Sequence, residues 1–390
     1  MSKKRAVLYG AGNIGRGFLG QLMHMSDYEI TFIDVNPALI EGLNREGKYP
    51  IFITEGDTYR PYWVTHVRAV DGRDIAAVAD SIANADLMAT AVGVNVLPRI
   101  ALPMAEGIRL RRERGIQNPL NVIVCENLIG ADQYLANLIK EKLDGGEQDY
   151  FDRMIGLVEP SIGRMVPATP ENIAKEYPLA VCVEHYCELP VDREGFRGEI
   201  PSIAHMVPYS PFDFLIRRKL FLHNMSHALV AYLGALRGYI YIWEAVADRE
   251  IRLIARQALG EASHALAMEY GVDLSELNRF SEDLLARYEN RLLGDTVVRV
   301  GRDTKRKLAP NDRFMGAVRL CEKHGICPTS ILMGLAAGLS FAPEGDGSSA
   351  EVVNSLRCDG LSKTLETYCG LEQDSPLVSV IAQLMEQIVE

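Results

Sequence analysis

In the first half of the chain, short apolar runs alternate with stretches of helical periodicity. The apolar runs are residues 5–9, 29–34, 87–91, 121–125 and 154–158. This alternation is typical of βαβ units and predicts a parallel β-sheet flanked by helices. Two further segments have β patterns. Residues 51–67 are rich in Thr, Tyr and β-branched residues, and residues 179–189 alternate apolar and polar positions as a half-buried strand does.

The second half has long helical periods and few strand signals. One helix is predicted to begin at Ser210-Pro211-Phe212-Asp213, with a Ser cap and Pro at its first position, and to end at Arg237 before Gly238. Further helices are predicted at residues 242–270, 274–293, 313–324 and 330–339. A linker-like composition near residue 200 predicts two domains, residues 1–200 and 201–390.

A glycine-rich loop follows the first predicted strand and opens a helix. Gly10, Gly12 and Gly15 form a GxGxxG motif. In such a motif the first glycine permits a tight turn, the second has no side chain to block a pyrophosphate, and the third lets helix and strand pack closely. The next predicted strand ends in Asp34, where a carboxylate can accept hydrogen bonds from ribose hydroxyls and repel the 2′-phosphate of NADP.

These features predict an α/β N-terminal domain of the Rossmann type and a mainly α-helical C-terminal domain. NAD is the expected cofactor. A glycine-rich turn without a cofactor is the alternative, which the strand before the motif and the helix after it disfavour. The residues predicted to bind NAD are Gly10, Gly12, Asn13, Ile14, Gly15, Asp34, Val35, Asn36, Ala91, Val92 and Gly93.

Composition and charge argue against several classes of protein. The 390 residues carry a formal net charge of −11, which is unfavourable for nucleic acid binding because such binding depends on basic surfaces. The seven cysteines are scattered without a CxxC pair, which argues against a disulfide scaffold or a zinc site. Neither a signal peptide nor a run of about 20 apolar residues is recognisable. We therefore expect a cytoplasmic protein with a small-molecule substrate and no nucleic acid or membrane partner; the oligomeric state stays open.

Lys219, Asn224 and His227 lie on the helix predicted after Ser210. At about 100° per residue they fall within an arc of roughly 140°, and Asn224 and His227 are i,i+3 neighbours. The sequence around Asn224 and His227 is largely apolar, and buried polar groups need partners there. From these residues alone two interpretations stay open: a catalytic group, or a surface lysine beside a polar pair satisfied within the core.

The chain resembles the polyol-specific long-chain dehydrogenases over nearly its whole length. The resemblance rests on Lys219-x4-Asn224-x2-His227 together with the glycine loop and its continuation to Phe18. Other matching segments are Thr90-Ala91-Val92-Gly93, Asn95-Val96-Leu97-Pro98, Cys125-Glu126-Asn127, Val183-Glu184, residues 295–303, Arg306-Lys307-Leu308 and Asn311-Asp312-Arg313. The chain departs from the family pattern at Gly163, where Asp is expected, at Met225-Ser226, where Thr-Gly is expected, and at Leu189, where an aromatic residue is frequent.

The resemblance implies the interconversion of a secondary alcohol and a ketone with NAD and without a metal. Lys219 would be the general base, for which its pKa must fall below the usual value of about 10.4. Asn127 and Asn224 would stabilise the developing alkoxide, and His227 would orient a substrate oxygen. His223 and His227 have i,i+4 spacing, but no third metal ligand is evident in the sequence.

A cluster of basic residues within residues 302–313 raises the question of a phosphate. Arg302, Lys307 and Arg313 are the candidates for binding a sugar phosphate, and a solvated basic loop is the alternative. The leading hypothesis is the reversible reduction of fructose 6-phosphate to mannitol 1-phosphate by NADH. The same chemistry on an unphosphorylated polyol or a hexuronate is the second hypothesis. An NAD-binding sensor or scaffold without catalysis is the third.

Overall fold

The first half of the chain folds around a parallel β-sheet, as its alternating pattern predicts. The computed structural model describes residues 3–389. In chain order, the strands and α-helices of this half are β1 (Lys4–Tyr9), α1 (Gly20–Met25), β2 (Tyr28–Asp34), α2 (Pro37–Glu46), β3 (Lys48–Glu55), β4 (Thr58–Thr65), β5 (Val67–Asp71), α3 (Ile75–Ala83), β6 (Leu87–Thr90), α4 (Leu97–Glu113), β7 (Leu120–Val124), α5 (Ala131–Lys140), α6 (Gly145–Met154), β8 (Ile155–Val158), α7 (Glu171–Glu176), β9 (Val181–Val183), β10 (Leu189–Asp192) and β11 (Met206–Tyr209).

The main sheet has the strand order β5-β2-β1-β6-β7-β8, with parallel pairing throughout. Ala6 and Leu8 pack into a core on one face of the sheet, and Val7 and Tyr9 pack into a core on the other. Successive side chains of a strand point to opposite faces, so a strand covered on both sides is apolar throughout. The chain reverses its direction of winding between β1 and β6, and this reversal leaves a crevice at their carboxyl ends.

Two smaller sheets complete this half. Residues 51–67, predicted only as β structure, contain most of an antiparallel hairpin of β3 and β4, and β9 pairs in parallel with β3. The single strand predicted at residues 179–189 is wrong, because β9 and β10 belong to different sheets and β10 pairs with β11. Between them, the Glu184 carbonyl accepts hydrogen bonds from the Arg164 guanidinium rather than from a strand neighbour.

The second half is helical. Its elements are α8 (Asp213–Arg218), a π-helical segment (Lys219–Asn224), α9 (Met225–Leu236), α10 (Ile242–Ala247), α11 (Arg249–Tyr270), α12 (Leu274–Tyr288), α13 (Val297–Gly301), α14 (Thr304–Lys307), α15 (Arg313–Lys323), α16 (Thr329–Leu339), α17 (Gly347–Asp359), α18 (Leu361–Thr364), a π-helical segment (Leu365–Cys369) and α19 (Pro376–Val389). Residues on nearly every side of α9 are buried, so α9 is a central helix of this half.

Two predicted helices differ from the structure for identifiable reasons. The first begins at Asp213 rather than after a Ser210 cap, because the Ser210 hydroxyl donates to Glu194 instead. The helix predicted at residues 242–270 is broken at Asp248, whose carboxylate accepts the N–H groups of Glu250 and Ile251 and so caps α11.

The chain divides into two compact units, Met1–Asp213 and Phe214–Glu390. This division falls later than residue 200, since residues 206–209 form β11 and pair with β10 of the first unit.

Candidate active site

The glycine loop after β1 is shaped by close backbone contacts. Gly10 has a φ of 103°, and a Cβ there would lie 2.4 Å from the Ala91 carbonyl oxygen. A Cβ on Gly15 would lie 1.9 Å from the Gly10 carbonyl oxygen, whereas a Cβ on Gly12 would meet no atom within 4 Å. Gly10 and Gly15 are therefore required by the fold, while Gly12 borders open space of the kind that a pyrophosphate occupies.

Asp34 ties the glycine loop to the end of β2. Its Oδ2 accepts the Ala11 N–H at 2.7 Å, and its Oδ1 accepts the N–H groups of Val35 at 2.8 Å and Asn36 at 2.9 Å. A carboxylate has about four acceptor positions, so Asp34 can still accept from a ribose hydroxyl. Its negative charge disfavours a 2′-phosphate, and the residues present therefore fit NAD.

The loop after β6 is held by Glu126, which sequence reasoning quoted in a motif but gave no role. Its two carboxylate oxygens accept the N–H groups of Val92 at 2.9 Å and Gly93 at 2.7 Å. Glu126 follows β7, the strand beside β6 in the sheet. The carboxylate thus fixes the loop that contains the predicted NAD-binding residues 91–93.

The predicted NAD-binding residues gather at one edge of the sheet. They follow β1, β2 and β6, which are adjacent strands whose carboxyl ends share that edge. Asn36 caps α2 by accepting the N–H groups of Ala38 and Leu39, while Gly12, Asn13 and Val35 are exposed. Sequence reasoning also missed Arg16, which ties the glycine loop to residue 179. Its buried guanidinium donates to the Ala11 carbonyl at 2.7 Å and to the Leu179 carbonyl.

In the second unit, Lys219 and Asn224 stand at the two ends of a π-helical segment. The sequence prediction assumed α-helical geometry throughout, and that assumption is wrong here. In a π-helix the hydrogen bonds run from i to i+5, so residues five apart face the same side of the helix. The angle between the Lys219 and Asn224 side chains around the helix axis is therefore smaller than in an α-helix. His227 follows about one turn later, in α9.

Lys219 is half-buried, and its surroundings favour the neutral amine. Burial, together with the nearby positive charge of Arg313, lowers the pKa of Lys219 to about 8. Burial also lowers the pKa of the neighbouring His223 far below its ordinary value, with the charges of Arg287, His227, Lys219 and Arg313 as further causes. His223 is therefore neutral near pH 7.

His227 is held on one face and at one edge. Its ring stacks on Tyr288 with centroids 4.7 Å apart and planes 8° apart, and its Nε2 lies 3.1 Å from Oδ2 of Asp295. Met225 and Ser226, which depart from the family pattern, are buried. The Ser226 hydroxyl donates to the Leu222 carbonyl at 2.6 Å and lies 3.0 Å from the Tyr288 hydroxyl.

The basic segment separates into buried and exposed residues. Arg313 is buried and donates from Nη1 to the Asn224 carbonyl at 3.2 Å. Lys307 is buried as well, and burial with the charges of Arg313 and Arg306 lowers its pKa to about 7. The Arg302 side chain is exposed, and the Arg302 carbonyl accepts a hydrogen bond from the Lys307 ammonium. The two other basic residues form exposed ion pairs, Lys305 with Glu351 and Arg306 with Asp303.

Among the predicted catalytic residues, Asn127 is the one that lies in the first unit. It is exposed and follows β7, directly after Glu126. Lys219, Asn224 and His227 are brought together on one helix, beside Arg313. The catalytic roles of all four stay predictions.

Residues 3–389 hold no group of three or more His, Cys, Asp or Glu side chains placed to bind a metal ion. None of their helices is both long enough and apolar enough to cross a membrane.

The chain matches two family models in succession. The mannitol dehydrogenase Rossmann domain matches residues 4–205, and the mannitol dehydrogenase C-terminal domain matches residues 212–389. Two similar relatives are called mannitol-1-phosphate 5-dehydrogenase. The relative from Thermoanaerobacter pseudethanolicus is 36% identical and that from Brevibacillus brevis 39% identical, each over 386 residues that cover 99% of this chain and 98% of the relative.

Solved structures of polyol dehydrogenases share the fold. D-sorbitol dehydrogenase in substrate-free form has a TM-score of 0.79 at 15% identity and covers 100% of this chain and 93% of its own. A ternary complex of Pseudomonas fluorescens mannitol 2-dehydrogenase with NAD and D-mannitol has a TM-score of 0.72 at 15% identity. The match covers 100% of this chain and 91% of the mannitol 2-dehydrogenase chain. These two structures confirm the predicted fold class.

The family models together span almost the whole chain, and the first unit has a site that fits NAD. The protein is therefore an NAD-dependent polyol dehydrogenase, and the chain belongs to the mannitol dehydrogenase family.

Proposed function

We propose that the chain interconverts mannitol 1-phosphate and fructose 6-phosphate. The observation that carries this proposal is that two buried basic side chains, Arg313 and Lys307, accompany Lys219, with the charge of Arg313 acting on both lysines. A phosphate monoester carries nearly two negative charges at neutral pH, and a chain of net charge −11 needs local positive charge to bind it. The names of the two relatives at 36% and 39% identity support the same substrate pair.

Lys219 is the proposed general base. With its pKa lowered to about 8, a substantial share of the amine is neutral at cellular pH and can take the proton of the substrate alcohol. In the reverse direction, the ammonium returns that proton to the oxygen of the reduced ketone. NAD, when bound at the site of the first unit, supplies the hydride acceptor for the oxidation.

The side-chain amides of Asn224 and Asn127 are proposed to donate hydrogen bonds to the alkoxide that develops on the reacting oxygen. Asn224 is placed for this by its position at the end of the π-helical segment that begins with Lys219. His227 is proposed to hold another substrate oxygen. Because protons are handled by an amine and charge is stabilised by amides, the proposed reaction requires no metal.

Arg313 and Lys307 are the proposed phosphate ligands among the basic residues. Both side chains are less than a tenth exposed, so a phosphate bound to them is shielded from water and its interaction is stronger than on a surface. Arg302 is exposed, and its side chain stays a weaker candidate.

The test follows NADH oxidation by the purified protein with fructose 6-phosphate and with fructose, offered separately. We expect turnover with the phosphate ester and little with fructose, because the buried cations add binding energy only for the phosphate. Turnover of fructose alone, or only of a uronate, would reject this substrate pair and place the chain with the dehydrogenases of unphosphorylated substrates. No turnover of any polyol or ketose would favour an NAD-binding sensor or scaffold.

A further inference from the structure

We propose that Asp295 is a positioning residue that keeps the proton of His227 on Nε2 and leaves Nδ1 free to accept a hydrogen bond from a substrate hydroxyl. The hydroxyl belongs to a polyol in accordance with the proposed function, on which this part of the inference rests. The arrangement of the imidazole itself is a property of the protein alone.

The first support is the pairing of the two side chains. Asp295 is 5% exposed, and its Oδ2 lies 3.1 Å from His227 Nε2. By strict geometry neither of these two atoms has a hydrogen-bond partner among the described residues, so each is the nearest polar atom with which the other can pair. A carboxylate accepts hydrogen bonds and cannot donate them, so the imidazole nitrogen that faces it must carry a hydrogen.

The second support is the charge of Asp295. Its Oδ1 accepts from Nε of Arg299 at 2.7 Å. Burial acts to raise the pKa of Asp295, but the proximity of the His227 imidazole and the charge and hydrogen bond of Arg299 outweigh burial and lower that pKa. The carboxylate is therefore ionised throughout the working pH range and holds the same nitrogen of His227 in its protonated form.

The third support is the restraint on the imidazole plane. The ring of His227 stacks on Tyr288, whose hydroxyl donates to the His223 carbonyl at 3.0 Å and is 3.0 Å from the Ser226 hydroxyl. Tyr288 is thus fixed at its far end, and rotation of the His227 ring would break the stacking. With one face covered and the Nε2 edge paired, Nδ1 is the polar atom left for a ligand.

The consequence concerns which substrate oxygen His227 recognises. A neutral imidazole that donates from Nε2 is an acceptor at Nδ1, and it therefore binds an O–H group rather than a carbonyl oxygen. The reacting oxygen is a carbonyl in the ketone, so His227 is matched to a different oxygen, a hydroxyl that the polyol and the ketose share. The ring centroid of His223 lies 5.8 Å from that of His227, and burial lowers the pKa of His223 far below its ordinary value.

The direct test is nitrogen NMR of the full chain labelled with ¹⁵N-histidine, without substrate. The His227 resonances are assigned as those lost in His227→Ala. We expect a neutral ring with a protonated Nε2 and an unprotonated Nδ1. A proton on Nδ1, or on both nitrogens at pH 7.5, would overturn the proposal whatever the substrate proves to be.

The variant test is Asp295→Asn, which keeps the size of the side chain but offers an amide that can also donate. We expect the ¹⁵N pattern of His227 to change and kcat/KM to fall about tenfold to a hundredfold, the loss of one charge-assisted hydrogen bond. Glu282→Gln, which neutralises a half-exposed carboxylate paired with Arg256 at 2.7 Å, is the matched control and should leave both readouts unchanged.

The two readouts separate the proposals. A changed tautomer without turnover of any polyol would reject the proposed function and keep the role of Asp295. An unchanged His227 pattern and unchanged kcat/KM in a folded Asp295→Asn protein would show that Asp295 is structural only. If Asp295→Asn does not fold, the tautomer in the unaltered protein decides.

Discussion

Burial sets the charge of the individual side chains around Lys219. Three of these groups hold a proton less tightly than they do in water: the pKa of Lys219 is about 8, that of Lys307 is about 7, and that of His223 is far below its ordinary value. In each case burial is the largest cause and a neighbouring positive charge adds to it. Arg313 is common to all three, so it influences the base as well as the proposed phosphate site.

The pH dependence of the reaction should follow Lys219. Oxidation needs the neutral amine, so kcat for alcohol oxidation should rise with pH and level off above about pH 8; reduction needs the ammonium and should decline above that pH. Lys219→Met should remove this dependence and lower kcat by about two to four orders of magnitude. NADH binding, measured by fluorescence, should be unchanged, and a retained pH profile in the variant would rule out Lys219 as the base.

Arg313→Met should weaken the binding of a phosphorylated substrate and also make Lys219 more basic. We expect KM for fructose 6-phosphate to rise about tenfold to a hundredfold, since one charge-assisted interaction is lost, and the oxidation profile to move to higher pH. Lys305→Met is the matched control, because Lys305 is half-exposed and paired with Glu351 at 2.7 Å. Equal effects of the two substitutions would contradict a specific phosphate site.

Among the secondary-structure elements, the helix from Asp213 to Leu236 determines most of the site's geometry. Its π-helical segment aligns Lys219 with Asn224, and its C-terminal part, α9, presents His227. The apolar periodicity of the sequence predicted one helix here but could not show the widened turn. Within that turn the His223 carbonyl accepts a hydrogen bond from the Tyr288 hydroxyl, a long-range contact that the local pattern does not reveal.

The glycine loop offers a test that separates cofactor binding from folding. In Gly12→Ala the new Cβ meets no protein atom within 4 Å, so the melting temperature should be unchanged while the Kd for NADH rises about tenfold to a hundredfold. In Gly15→Ala the Cβ would lie 1.9 Å from the Gly10 carbonyl oxygen, so the protein itself should be destabilised. Normal NADH binding by Gly12→Ala would argue against a pyrophosphate at this loop.

The packing behind α9 should tolerate no additional side chain at Gly334 of α16. A Cβ there would lie 2.8 Å from the Leu229 side chain and 2.9 Å from the Phe314 ring, so Gly334→Ala should lower the free energy of unfolding by about 1–3 kcal/mol. Gly260→Ala in α11 is the control, because its Cβ meets nothing within 4 Å and alanine favours a helix by about 0.5–1 kcal/mol. Thermal unfolding of both variants measures the difference; equal melting temperatures would contradict it.

In the molecule as a whole, the residues that fit NAD and most of the proposed catalytic residues belong to different units. The first carries the residues that fit NAD at the carboxyl edge of its sheet, and the second carries Lys219, Asn224, His227 and the buried cations. The order of the two family models along the chain is the order of the two units.

Dehydrogenase activity should survive the removal of metal ions. Because Lys219 transfers the proton and amide groups stabilise the alkoxide in the proposed reaction, dialysis against EDTA should leave kcat and KM within about twofold of their original values. The check is the NADH assay before and after dialysis, with and without added Zn²⁺ or Mg²⁺. A loss of activity that one of these ions restores would refute the metal-free mechanism.

Local sequence was sufficient to identify the fold class and the family and to locate many of the elements up to residue 339, but none of the helices after it. Strand and helix periods, the GxGxxG motif before a helix and Asp34 at the end of β2 are local features, and their consequences follow from backbone geometry and amphipathicity alone. The fold class and the family are confirmed. The single strand predicted at residues 179–189 and the Ser210 cap are wrong, because in both places hydrogen bonds to distant residues replace the local ones.

Long-range contacts settle the remaining features of the site. Nothing in the pattern around Asp295 or Tyr288 indicates that they meet His227, since 68 and 61 positions separate them along the chain (295 − 227 and 288 − 227). Likewise, the sequence lists five basic residues between 302 and 313 without distinguishing them, and packing alone buries Lys307 and Arg313 while Lys305 stays in solvent. Charge, tautomer and pKa depend on such neighbours, and neighbours distant in the sequence are known only once the chain has folded.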